Sequence, residues 1–110
     1  TYWTRDRKGE RWPLPWAIQQ LTDVPARAVG LGDRGRLQVG YKADINVIDM
    51  SVLGTPPPRI VHDLPAGGRR LMQTATGYRY TIKNGIVSFV DGEHTGALNG
   101  SLIRGAQSRR

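Results

Sequence analysis

The stretch GLGDRGRLQVGYKADINVID, residues 30–49, decides how this chain is read. Upstream of it TDVPARAVG has the pattern of a short helix, with Pro25 in the first turn and Gly30 placed to end the helix in a left-handed conformation. Gly35 then sets a tight turn in GDRGRL, and VGYK offers a second. In ADINVIDM, Ile45, Val47 and Asp49 alternate with Asn46, Ile48 and Met50, which predicts a largely buried strand. The hydrophobic period thus changes from helical to extended within twenty positions. A joint of this kind, closing a helical end and opening a sheet, is expected in the tail of a larger protein.

Working outward, WPLPWAIQQL supplies Pro13 and Pro15 for a helix approach and first turn, and predicts a short helix over 16–21. Its apolar stripe of Trp16, Ala17 and Leu21 needs a partner surface. Downstream, TPPPR interrupts any ladder, because prolines have no N–H to donate. Residues 59–76 are expected to hold a short strand at Ile60 and Val61 and a helical turn around 70–74. In YRYTIKNGIVSFVDG the pair Asn84-Gly85 supplies the positive φ angles of a type I′ hairpin. A regular two-residue loop pairs Lys83 with Ile86, Ile82 with Val87, Thr81 with Ser88 and Tyr80 with Phe89, and puts Tyr80 and Phe89 on a buried face. A short edge strand is expected over 101–103. The resulting fold class is α+β, β-rich with short N-terminal helices.

Composition agrees with that class and narrows the chemistry. In 110 residues there are 14 Gly and seven Pro, which favours turns and short strands, and 38% hydrophobic content is low for a self-sufficient core. No apolar run approaches the roughly 18 residues of a membrane span, and the first residues are charged where a signal peptide is apolar. With no Cys there is neither a disulfide nor a thiolate ligand, so a cytoplasmic location is the expectation. The net charge of +7 invites a nucleic-acid partner. Only Arg5-Asp6-Arg7-Lys8, Arg69-Arg70 and Arg109-Arg110 cluster, however, and aromatics are not interleaved with them, so nucleic acid is an unlikely ligand.

The residues also yield no catalytic, cofactor-binding or metal-binding set. His62 and His94 stand alone, without the close His or Cys partner of usual zinc pairs. Asp44 and Asp49 are five apart in one strand and point to opposite faces, and Asp44 reads as a turn residue bonding nearby amides. Neither His62-Asp63 nor Glu93-His94 makes a minimal site, since neighbours in an extended segment point apart. The glycines at 30, 32 and 35 precede a strand, which argues against a phosphate cradle.

The segment LTDVPARAVGLGDRGRLQVGYKADINVIDM resembles the tail of the amidohydrolase superfamily, through the pattern DRG.L..G..AD..V.D. The later VHDLPAGGRRLMQTATGYRYTIKNGIVSFVDGEHTGALNGSLIRG is similar to its N-acyl-D-amino-acid deacylase branch, especially NG, DGEHTGA and the final G.L.RG. The resemblance implies a large metal-dependent hydrolase with a zinc-bearing (β/α)8 barrel and a small β-sandwich built by the first and last parts of the chain. It implies that residues 1–32 hold the last barrel helices, 33–105 the C-terminal sandwich strands and 106–110 a disordered tail. Zinc and the reacting groups would then lie in the parent, outside these residues. The expected partner is the missing N-terminal part of the same enzyme, with self-association of the fragment through its open strand edges. The alternative is a free-standing basic β-rich module that binds a nucleic acid or a protein partner.

Overall fold

In the computed structural model, which describes residues 1–108, the chain opens with a π-helical turn at Tyr2–Asp6 and two short helices, α1 (Leu14–Leu21) and α2 (Asp23–Ala28). Pro15 lies at the start of α1, where a missing N–H is harmless. Thr22 separates the helices, its hydroxyl donating to the Ile18 carbonyl at 2.8 Å. Gly30, at φ +75°, ends the second as expected, and the Leu31 amide reaches back to the Ala26 carbonyl at 2.8 Å. The opening π-helical turn has no counterpart in the sequence reading.

Six strands follow: β1 (Ile45–Ile48), β2 (Arg59–Leu64), β3 (Gly68–Met72), β4 (Tyr78–Lys83), β5 (Ile86–Val90) and β6 (Glu93–His94). They form a four-stranded antiparallel sheet in the order β1-β4-β5-β6 and a separate β2-β3 ribbon. The architecture is β-rich with short helices and open sheets.

The strand expected in ADINVIDM is present, but it is not largely buried. Val47 is 44% exposed, because β1 lies at the sheet edge and its outer face meets no other layer. In 59–76 the strand extends beyond Ile60 and Val61, and the helical turn expected around 70–74 is replaced by β3. The reason is the tip: Pro65–Gly67 forms a 3₁₀ turn with Ala66 at φ +57° and Gly67 at φ +70°, which folds the following residues back on β2. No strand occurs at 101–103, where the chain is irregular.

The Asn84-Gly85 hairpin forms with Asn84 at φ +51° and Gly85 at φ +79°. Its register is regular only for Lys83↔Ile86 and Ile82↔Val87. Thr81 then pairs with Phe89 and Tyr80 with Val90, so the expected Thr81–Ser88 and Tyr80–Phe89 pairs are wrong. The cause is a bulge at Ser88, an extra residue that shifts every later partner by one. Ser88 itself is buried, while Tyr80 is 45% and Phe89 40% exposed, against the expectation of a covered face.

Gln107, inside the stretch expected as tail, forms a parallel bridge with Leu31: its amide donates to the Gly30 carbonyl at 2.8 Å and its carbonyl accepts from Gly32 at 2.7 Å. Residues 109–110 of that tail lie outside the described residues. The Cα radius of gyration is 16.7 Å. A compact chain of this length has about 13 Å, so the elements are spread rather than gathered round one core.

Candidate functional site

The ionisable groups fall into separate structural networks. Asp23, at the start of α2, accepts both Arg36 nitrogens at 2.7 and 3.0 Å and pairs with Arg27 at 3.0 Å. Its carboxyl is held below the usual aspartate range, chiefly by the hydrogen bond from Arg36, against the opposing effect of desolvation. Asp33 receives Arg34 in the same two-pronged way at 2.9 and 3.3 Å and is lowered for the corresponding reason. Both carboxylates are buried. The Arg36–Asp23 pair fastens the DRGR stretch to the second helix, and Gly35 approaches so closely that a Cβ there would stand 2.7 Å from Ala26 Cβ. Sequence reading placed the Gly35 turn but missed the Asp23–Arg36 pair, whose partners lie 13 positions apart.

A second network grips the hairpin turn from two sides. The Asp44 carboxylate accepts the Asn84 amide at 2.8 Å and Lys83 Nζ at 3.1 Å, while the Gly85 amide donates to the Ala43 carbonyl at 2.9 Å. Asp44 is thus the expected turn-bonding residue, but the turn it holds is forty positions away. On the other side Asn99 Nδ2 donates to the Lys83 carbonyl and Asn99 Oδ1 accepts from Ser88 Oγ at 3.0 Å.

The remaining candidates stay apart. Asp49 accepts from Ser51 Oγ at 2.6 Å and from Arg79 at 3.2 Å, and Arg79 also pairs with Asp91. His62 is exposed on β2, whereas His94 is on β6, where its Nδ1 accepts the Gly96 amide at 3.2 Å and its ring meets the edge of Phe89. Asp63 is engaged with Arg70 through two bonds of 2.8 and 2.6 Å. Among the described residues no three of His, Cys, Asp and Glu come together as a metal-binding group. The basic pair Arg69-Arg70 lies on β3, and in the N-terminal cluster Arg5 bonds Asp6 and the Met50 carbonyl while Arg7 lies 4.7 Å over the Trp3 ring.

Apolar surface dominates what is left. Ala26 is the one buried hydrophobic residue among the described residues, at 7% exposure. Trp12 and Trp16 stack at 4.3 Å beside Leu14, Ile18 and Leu21, and all of these remain open to solvent, as do Trp3 and Tyr2. What this geometry brings together among the described residues is therefore a set of ionic fasteners beside a large open apolar surface.

The profile of the amidohydrolase family matches residues 2–89, and the chain belongs to that family. Within it, the chain is similar to N-acyl-D-glutamate deacylase of Alcaligenes xylosoxydans xylosoxydans, 35% identical over 83 residues. That match covers 76% of this chain and 15% of the relative, so the chain spans a small part of the relative's length. No solved structure matches it. The relationship bears out the resemblance to D-aminoacylases. Zinc, which the resemblance implies, does not fit the residues present: the two histidines are on different sheets and the aspartates around the turns are engaged by arginine, lysine or backbone amides.

Proposed function

We propose that this chain is the C-terminal structural part of a zinc-dependent amide hydrolase of the N-acyl-D-amino-acid deacylase kind, non-catalytic by itself. Residues 1–32 would close its barrel with the two helices, and 33–105 would contribute strands to a β-sandwich shared with the N-terminal part of the same polypeptide. The observation that carries this reading is the near absence of covered apolar side chains in a chain that nonetheless makes specific strands, a bulge and two ionic networks. At about 25 cal/mol per Å² of apolar area removed from water, large open apolar side chains are a strong driving force for association. The zinc and its ligands would belong to the parent's other residues. A linear amide such as that of an N-acyl-D-glutamate is the substrate class proposed for the parent, after the relative named above.

The basic-module alternative finds less support. Arg5, Arg27, Arg34, Arg36, Arg70, Arg79 and Lys83 are paired with aspartates, which lowers the cationic density available to phosphates. The test compares the parent hydrolase, the parent lacking this region and the chain alone. Deacylation of N-acyl-D-glutamate and bound zinc are expected only in the first. Turnover by the chain alone, or an undiminished parent without it, overturns the proposal.

A further inference from the structure

The β2-β3 ribbon is an arm. Its base is clasped by the antiparallel Gly54–Thr76 bridge, with the Thr76 amide donating to Gly54 at 2.9 Å and Thr76 Oγ1 to Val52 at 2.8 Å. Its tip is the left-handed pair Ala66 and Gly67, and within its own sheet each strand has one partner only, the other strand. Register divides the arm into two faces. Arg59↔Met72 and Val61↔Arg70 share one, where Val61 and Met72 are half-buried and Arg70 is engaged by Asp63. Ile60↔Leu71 lie on the other, with Arg69 two positions from Leu71 by strand alternation. On this second face Ile60 is 59% and Leu71 68% exposed, and the Arg69 guanidinium has no ion-pair partner among the described residues.

We propose that the free edge of β3 is a docking site for an extended acidic segment of a partner protein, added as a third strand. Ladder groups on the open edge supply the backbone bonds, Arg69 meets a carboxylate, and Leu71 with Ile60 takes an apolar neighbour. Charge selects this occupant. The arm carries Arg59, Arg69 and Arg70 against Asp63 alone, so an antiparallel copy of β3 would bring like charges across the new ladder. The whole chain, at +7, adds to that repulsion. At the other edge Pro56, Pro57 and Pro58 lead directly into β2 and blunt its start, which leaves β3 as the edge open to pairing. This inference goes beyond the hydrolase reading and is compatible with it where the shared sandwich is built on the four-stranded sheet and leaves the β3 edge of the separate ribbon open.

The probe is a fluorescein-labelled, end-blocked peptide of alternating glutamate and valine, titrated by anisotropy at two salt concentrations. Comparison peptides replace glutamate by lysine, or alternate valines by proline. Binding of the acidic peptide alone, weakened by salt, is expected, with slower amide exchange over 68–72 in the complex. Arg69→Glu should lower affinity at least about tenfold, whereas Arg104→Glu, an equal charge change at an exposed site off the arm, should alter it less than about twofold. The proposal is overturned by equal binding of the lysine or proline peptide, by indifference to Arg69→Glu, or by slowed exchange over 68–72 through self-pairing without any peptide.

Discussion

Replacing Gly35 by Ala separates two costs that usually arrive together. Gly35 and Gly40 both lie in the stretch 30–49 and have nearly the same backbone, φ +87° and +84°. An alanine in this left-handed region costs about 1–2 kcal/mol at either place. Around Gly40 a Cβ meets nothing within 4 Å, whereas at Gly35 it would stand 2.7 Å from Ala26 Cβ, 2.9 Å from the Thr22 carbonyl oxygen and 3.2 Å from Asp23 Cα. Two of these three neighbours are backbone atoms of the α2 start, which cannot rotate away. Overpacking of this kind adds about 1–3 kcal/mol, or about fivefold to somewhat above a hundredfold at about 1.36 kcal/mol per decade. The assay is amide exchange at Ala26 and Leu31, whose amides donate to Thr22 and Ala26 at 3.1 and 2.8 Å and so report the opening of α2. Gly35→Ala should accelerate both by that factor beyond Gly40→Ala, with the Asp91 amide on the hairpin as an unaffected reference. Equal acceleration by the two substitutions would show that α2 does not pack on the turn as described, and the reasoning would fail.

Acid should loosen the hairpin from β1. Burial raises the Asp44 pKa, but the Asn84 amide, the Lys83 bond and charge and the more distant Arg34 together bring it below the ordinary value of about 3.9. A folded pKa below the unfolded one means that this stabilisation is full above about pH 4 and is lost as pH falls through the folded value. Exchange of the Asn84 amide, followed downward in pH and corrected for intrinsic rate, should rise there, and Asp44→Asn should abolish the dependence. Asn99→Ala removes the bonds to the Lys83 carbonyl and to buried Ser88 Oγ, at about 0.5–1.5 kcal/mol each, so exchange of the Thr95 amide, which donates to Ser88, should quicken by about tenfold. The isolated chain should retain no stoichiometric zinc after dialysis; one tightly held equivalent, lost on His62→Ala or His94→Ala, would contradict the ligand geometry.

Local chemistry in the sequence was enough to determine the two short helices with Gly30 at their end, the turn at Gly35, the strand after Asp44 and the Asn84-Gly85 hairpin. Each depends on φ preferences, proline's missing donor or a short hydrophobic period, and these act within a few residues. The family was legible for a related reason, since its pattern is a run of turn and strand residues in fixed order. Tertiary structure decided what depends on distant partners. Ser88 bulges with its hydroxyl held by Asn99, and that one extra residue moves Tyr80 from Phe89 to Val90. Arg36 finds Asp23 across a loop, and Asp44 holds a turn forty positions on. Residues 70–74 have no local preference strong enough to resist the backbone reversal at Ala66 and Gly67, so pairing with β2 makes most of them a strand. Alternation likewise identifies which residues share a face of β1, but whether that face is covered depends on a second layer, which no pattern within these strands can supply.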